Sequence, residues 1–285
     1  MKLASALRFP AVWALLGAAQ STLIVDVSMV EVYVRVEDRG GTPVTDLALE
    51  DFVVFEDTRP QRIELFEPET AAMTIALLVD TTGSMTADLP YVKNAVFRLL
   101  SALKPEDSVG LFSFAQQLTT LDDFTTDRNS TLDSLLGVRP AGRTALFDSL
   151  VQLSRRLSQV GGKKAVLLFT DGDDNMSTLS LASALQGVQR YGVPVYAMIH
   201  GRALDDRNLT RQLEGISEAT GGLAFRLRNA SDLPEVFERI GQDLQHLYLI
   251  GYQSDNPGTT SWREISVRLL DHPEFRLRAK EGYSP

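Results

Sequence analysis

The sequence predicts an α/β protein in which a doubly wound, mostly parallel six-stranded sheet is inserted between the two halves of a β-sandwich domain. Three observations carry this: strand-period alternation at the start, alternating strand and helix patterns through the middle, and a return to strand patterns at the end.

The opening region is β. Apolar residues alternate at Leu23, Val25, Val27 and Met29, then at Val30, Val32, Val34 and Val36, with a change of phase between Met29 and Val30. A one-residue slip turns every later side chain to the other face, so a bulge or a change of sheet is expected there. Turn residues fill 38–43, a short apolar strand covers 52–56, and residues 57–60 turn the chain into a strand over 61–66.

After Pro68 the pattern changes. Residues 74–79 are continuously apolar, as expected of a parallel strand buried on both faces. Leu89, Val92, Val96, Leu99 and Leu103 then recur at helical spacing. Strands follow at 109–114 and 118–124, and a short helix at 128–136. The second helical stripe is Leu146, Leu150, Leu153, Leu157 and Val160. Buried strands at 165–169 and 193–199 flank a helix over 179–191; a helix over 209–219, a strand over 223–227 and a stripe from Leu233 to Leu247 complete the alternation. Such an alternation specifies a doubly wound sheet with helices on both faces.

Strand patterns return at 247–252, 262–269 and 275–279. Four strands at the start cannot close a packed sandwich, but with these three they make seven, so the ends are expected to share one domain. The organisation read from the sequence is a leader at 1–19, sandwich halves at 20–68 and 247–285, and the α/β domain at 69–246. Tyr33, Tyr252 and Trp262 read as core or rim of the β domain.

Composition narrows the function. Among 285 residues, 44% are hydrophobic and 23% charged, enough to bury one large core or two smaller ones. The net charge of −9 repels a phosphate backbone, which argues against nucleic acid as a partner. With no cysteine there is no disulfide, thiolate or Cys-bound zinc, and His200, His246 and His272 fall in no ligand spacing. Lys2 and Arg8 followed by an apolar run from Phe9 to Ala19 have the form of a signal peptide, so export to the periplasm or beyond is expected. Its removal takes two positive charges and moves the net charge from −9 to −11. No later stretch reaches membrane-spanning length.

Hard oxygen donors gather at the expected carboxyl ends of strands, where open parallel sheets bind ligands. The strand ending at Val79 runs into Asp80-Thr81-Thr82-Gly83-Ser84-Met85, where Asp80 offers a carboxylate and Thr82 and Ser84 offer hydroxyls. Thr144, in Gly142-Arg143-Thr144-Ala145, stands before a helical stripe, and Asp171, in Phe169-Thr170-Asp171-Gly172-Asp173, follows a buried strand. Each segment alone has a local explanation, as a hydroxyl helix cap or an Asp-Gly turn. Together they offer only oxygen, which suits a small hard cation such as Mg²⁺ or Mn²⁺.

These residues resemble the metal-ion-dependent adhesion site (MIDAS) of von Willebrand factor type A domains: Asp-x-Ser-x-Ser, a distant Thr, and a distant Asp in a Thr-Asp-Gly context. Asp80, Thr82 and Ser84 match the first part, with Thr for the first Ser; Thr144 and Asp171 match the others. The resemblance covers about residues 73–245 and implies a doubly wound fold and metal-dependent binding of a partner's Asp or Glu carboxylate, without catalysis. The flanks, including Asp51-Phe52-Val53-Val54-Phe55-Glu56-Asp57 and Leu249-Ile250-Gly251-Tyr252, resemble VWFA-related proteins of Acidobacteria.

An enzymatic alternative is Mg-dependent phosphoryl transfer with Asp80 as nucleophile, because Asp80-Thr81-Thr82-Gly83-Ser84 also resembles the Asp-Lys-Thr-Gly-Thr loop of phosphorylated ATPases, with Lys163 or Lys164 and the acids Asp171, Asp173 and Asp174 completing the set. Thr81 in place of the lysine, and Thr82 where a phosphatase places a general acid, count against it.

Overall fold

The computed structural model describes residues 29–171, 174–256 and 261–285. The expected leader and most of the first alternating run lie outside the described residues. The bulge or change of sheet expected between Met29 and Val30 is not formed: both belong to β1, in unbroken register with Gln253 and Tyr252 of the same neighbouring strand. The chain begins with four strands, β1 (Met29–Glu37), β2 (Phe52–Glu56), β3 (Arg59–Gln61) and β4 (Ile63–Glu67). The single strand expected over 61–66 is thus two. Gln61 pairs with Val54 of β2, whereas Ile63 pairs with Tyr252 in the other sheet, so the chain crosses between sheets at Arg62.

The α/β domain follows, with β5 (Met73–Asp80), α1 (Leu89–Ala102), β6 (Ser108–Phe114), β7 (Leu118–Thr125), α2 (Arg128–Leu136), α3 (Leu146–Leu157), β8 (Lys163–Thr170) and α4 (Leu181–Tyr191). It continues with β9 (Val195–Ile199), the four-residue α5 (Arg202–Asp205), α6 (Arg207–Thr220), β10 (Ala224–Arg226) and α7 (Leu233–Gln245). The six strands run in the order β10-β9-β8-β5-β6-β7. All neighbours are parallel except β7, which turns back on β6 through a loop too short for a crossover.

The sheet is buried on both sides because β5 alternates its contacts. Ile75, Leu77 and Val79 pack with Val92, Val96 and Leu99 of α1 and Phe237, Ile240 and Leu244 of α7. Ala76 and Leu78 pack with Leu146, Leu150 and Leu153 of α3 and Leu213 and Ile216 of α6. Each such leucine stabilises the fold by about 2 kcal/mol through its buried area. Helices α2, α4 and α6 start where side chains accept free amides, at Asp127, Ser180 and Asp206.

The chain ends with β11 (Leu247–Gln253), β12 (Arg263–Leu269), β13 (Arg276–Arg278) and β14 (Gly282–Tyr283). One sheet has the order β13-β1-β11-β4 and the other β14-β12-β2-β3, so strands from the two ends of the chain interleave in both. The α/β domain is therefore an insertion, and the β domain uses eight described strands rather than seven. β14 has two residues, too few for a sequence period to register.

The first of these sheets has two apolar faces. Val30, Val32, Val34 and Val36 fill the sandwich with Tyr248, Ile250 and Tyr252, while Tyr33, Leu247 and Leu249 join the core of the α/β domain. Tyr33 and Tyr252 are core as expected, and Trp262 is half exposed. Polar bonds reinforce the joint. The Tyr33 hydroxyl accepts from the Lys164 amide at 3.0 Å, and the Lys164 ammonium meets Glu31 at 2.9 Å. Asp243 of α7 takes the Tyr196 hydroxyl at 2.6 Å and Arg278 of β13 at 2.5 Å. This joint lies at the amino ends of the strands, which leaves the opposite edge of the sheet to the site.

Candidate metal site

Asp80 is the last residue of β5 and fully buried, while Asp171, 5% exposed, directly follows β8. Because β5 and β8 are paired through Val79 and Phe169, both acids leave the sheet at the same edge, side by side. Their loops are joined by hydroxyls. Thr82 Oγ1 and Ser84 Oγ lie 3.1 Å apart, and Ser84 Oγ donates to Asp171 Oδ1 at 2.9 Å. Asp80 Oδ1 accepts from the Thr82 amide and Oδ2 from Thr170 Oγ1, each at 2.9 Å. Four of the five residues singled out in the sequence therefore form one cluster.

Thr144 reaches the same edge by its backbone. Its loop is held to the first loop by the Ala141 amide donating to Thr81 O at 2.7 Å, and to the third by the Asn175 and Met176 amides donating to Thr144 O at 3.0 and 2.9 Å. Gly142 permits this path with φ of +98°, where a Cβ would also strike the Gln116 side chain. Helix capping does not account for Thr144. The first amides of α3 are satisfied from the third loop, with Phe147 N donating to Asp174 Oδ2 at 2.7 Å and Asp148 N to Ser177 Oγ at 3.0 Å. Among the described residues the Thr144 hydroxyl has no hydrogen-bond partner, although the residue is only 4% exposed. Thr82 caps nothing either.

The electrostatics fit a cation. Burial pushes the Asp80 carboxyl above its usual range, and the Asp171 charge adds to this, while hydrogen bonds from Thr82 and Thr170 oppose it. Among the described residues neither acid has a lysine or arginine partner. Two adjacent buried carboxylates without counter-charge, ringed by hydroxyl oxygens, make a donor set matched to one hard divalent ion. Among the described residues no cluster of three or more His, Asp or Glu side chains forms a rival site.

Thr170 and Gly201 are residues that sequence reasoning passed over. Thr170 was visible in the Thr-Asp-Gly context, but its role on Asp80 depends on the pairing of β5 with β8. Gly201, at φ +56°, lets the chain pass close to Asp171, where a Cβ would lie 3.3 Å from Asp171 Cβ. His200 stacks on Phe169, and its ring reaches Asp88 at 3.3 Å.

The phosphoryl-transfer alternative loses its lysine. Lys163 and Lys164 pair with Met73 and Thr74 at the start of β5, the opposite end of the strand from Asp80. Lys163 is spent on the Glu69 carbonyl at 2.8 Å and Lys164 on Glu31. Asp174 is held by backbone amides, and Asp173 lies outside the described residues.

Residues 75–173 match the family model of the von Willebrand factor type A domain. That match places a von Willebrand factor type A domain within residues 75–173. Among solved structures, a von Willebrand factor type A protein from Catenulispora acidiphila shares the fold with a TM-score of 0.54 at 12% identity, over 88% of this chain and 72% of that one. An aerotolerance-related membrane protein from Bacteroides fragilis aligns at a TM-score of 0.50 and 18% identity, over 61% of this chain and 98% of its own. Proximal thread matrix protein 1 from the mussel byssus, described with a zinc-occupied MIDAS motif, aligns at a TM-score of 0.50 and 19% identity, over 65% of this chain and 48% of its own. UPF0353 proteins of Mycolicibacterium paratuberculosis and Mycobacterium avium are 24% and 26% identical, over 69% of this chain. The chain spans 66% of the length of these curated relatives.

Proposed function

We propose that the von Willebrand factor type A domain of this chain is a divalent-metal-dependent protein-binding module, non-catalytic, whose metal coordination is completed by an Asp or Glu carboxylate of the partner. The observation that carries the reading is the chain of contacts from Asp80 through Thr82 and Ser84 to Asp171. Asp80, Thr82, Ser84, Thr144 and Asp171 would hold Mg²⁺ or Mn²⁺, some directly and some through water. The mussel protein's metal-occupied motif on the same fold supports this assignment.

When bound, the cation supplies a compact positive charge that attracts an anionic oxygen. The protein's own groups do the rest. Thr170 and the Thr82 amide orient the Asp80 carboxylate, and Ser84, which is exposed, opens the cluster to solvent on the side a partner would approach. With some of the five contacts passing through water, the two acids neutralise the ion only in part, so an incoming carboxylate is the favoured occupant of an open position. The loops around Met85, Arg143 and Asn175 would supply neighbouring contacts. Export through the leader at residues 1–19 would place this surface outside the cytoplasm.

The experiment is a pull-down from the native organism with and without EDTA. Capture should require Mg²⁺, return when it is restored, and fail for Asp171→Ala with the fold intact. Equal capture in EDTA and Mg²⁺ would place the interface elsewhere.

A further inference from the structure

A second feature lies on the same edge of the sheet. Leu204, Arg207, Thr210, Arg211 and Arg226 line a pocket of about 390 Å³. Arg207 and Arg211 stand one turn apart on α6, and Arg226 ends β10, so the guanidiniums gather at the carboxyl edge where Asp80 and Asp171 also sit. Two hydrogen bonds connect the pocket to the candidate metal site. Ala203 N donates to Asp171 O at 3.0 Å, and Thr210 Oγ1, from the pocket wall, donates to Ala203 O at 2.7 Å.

The charge of this pocket is uncompensated where it matters. Arg226 is held in a fork by Glu214 at 2.6 and 2.9 Å. Among the described residues Arg207 and Arg211 make no ion pair; Arg211 Nε donates to the Arg207 carbonyl at 3.1 Å. The adjacent Asp206 has its carboxylate committed to the first amides of α6, Asn208 N at 2.7 Å and Leu209 N at 3.2 Å. Like charges one turn apart on a helix repel, and here they do so on a chain whose net charge is −9. A bound anion would relieve that repulsion, and the planar guanidinium fork suits a carboxylate.

We propose that this arginine pocket is a second anchor for the partner, taking a further carboxylate from the same acidic, extended peptide segment that completes the metal site. The proposal rests on the metal-dependent reading above. It makes the preferred partner a run of acidic residues rather than a lone Asp or Glu.

The test is fluorescence anisotropy of fluorescein-labelled octaglutamate, which extends over about 26 Å and so spans a sheet edge, titrated with the full chain in Mg²⁺ and in EDTA. Arg207 and Arg211 are exposed, so the paired substitutions Arg207→Glu and Arg211→Glu leave the core alone. They should weaken binding in Mg²⁺ by about tenfold or more, while Arg207→Lys with Arg211→Lys should retain most of it. Affinity within twofold of the unmodified chain after charge reversal would overturn the arginine pocket, as would no binding by the unmodified chain at millimolar peptide. Binding lost on charge reversal but equal in Mg²⁺ and EDTA would uphold the pocket and sink the metal reading. Binding lost in EDTA but indifferent to the arginines would do the reverse.

Discussion

Thr170 Oγ1 donates to Asp80 Oδ2 at 2.9 Å, one step beyond the last paired residues of the central strands β5 and β8. The bond ties the orientation of a buried carboxylate to strand pairing, so the sheet itself presets part of the candidate site. Partners that orient ligands are typically worth 10- to 100-fold in metal affinity. Thr170→Val should therefore lower Mn²⁺ affinity by about tenfold or more while costing about 1 kcal/mol of stability. Calorimetric titration and urea unfolding check the two parts separately; unchanged affinity would mean that Thr170 is only structural.

Asp80→Ala should abolish a single divalent site. In the unmodified chain a metal present at about 100 times its Kd should raise stability by about 2.7 kcal/mol, because only the folded form assembles the donors. Thermal unfolding with and without Mn²⁺ measures this. A metal-dependent rise that survives in Asp80→Ala would show that the ion binds at some other place.

The pH dependence of stability follows from two buried lysines. Burial holds Lys280 down at about 8 from 10.5, with Glu31 opposing, and burial together with the Lys104 charge holds Lys163 at about 8. A lysine whose folded-state pKa is lowered binds fewer protons folded than unfolded between those values, so stability rises with pH through that window. From pH 7.5 to 9.5 Lys280 alone should add up to about 2 kcal/mol. Urea midpoints should rise over this range, less so in Lys280→Met, which should itself be more stable at pH 7.5. A flat or falling profile would contradict the assignment. The range stops below 10 because burial raises Tyr33 and Tyr196 well above that value, and unfolded tyrosines that ionise there favour unfolding.

Arg263 and Glu56 form a buried pair at 3.2 Å inside the β domain, and Glu56 also accepts from Tyr252 and Tyr283, each at 2.9 Å. Arg263 donates further to Ser254 Oγ and the Asn256 carbonyl. Arg263→Met leaves the Glu56 carboxylate buried without its cation and should destabilise by about 3 to 5 kcal/mol. Chemical unfolding measures it; a loss below about 1 kcal/mol would show that the tyrosines and Ser254 suffice.

The interleaved sheets make a prediction about fragments. Residues 20–68 alone should show no cooperative thermal transition, because β1 and β4 find their partners only in β11 and β13. Residues 69–246 should fold, but less stably than within the whole chain, having lost Tyr33, Leu247 and Leu249 from a shared core. A cooperative transition in the short piece would contradict the shared domain.

By itself the sequence determined the fold class, the insertion and four members of the hydrogen-bonded cluster, because these depend on short-range regularities. Continuous apolar runs mark strands buried on both faces, helical stripes mark the layers between them, and oxygen-bearing residues directly after such strands must emerge at one edge. Tertiary structure alone decided the rest. It split the strand at Arg62 between two sheets, gave the outer face of β1 a second core through Tyr33, capped α3 with Asp174 so that the Thr144 hydroxyl is left without a partner among the described residues, and brought Thr170 onto Asp80 and the Arg207 and Arg211 pocket onto the same edge. Each of these depends on which strand lies beside which, a choice set by the burial of whole faces and invisible to any local period.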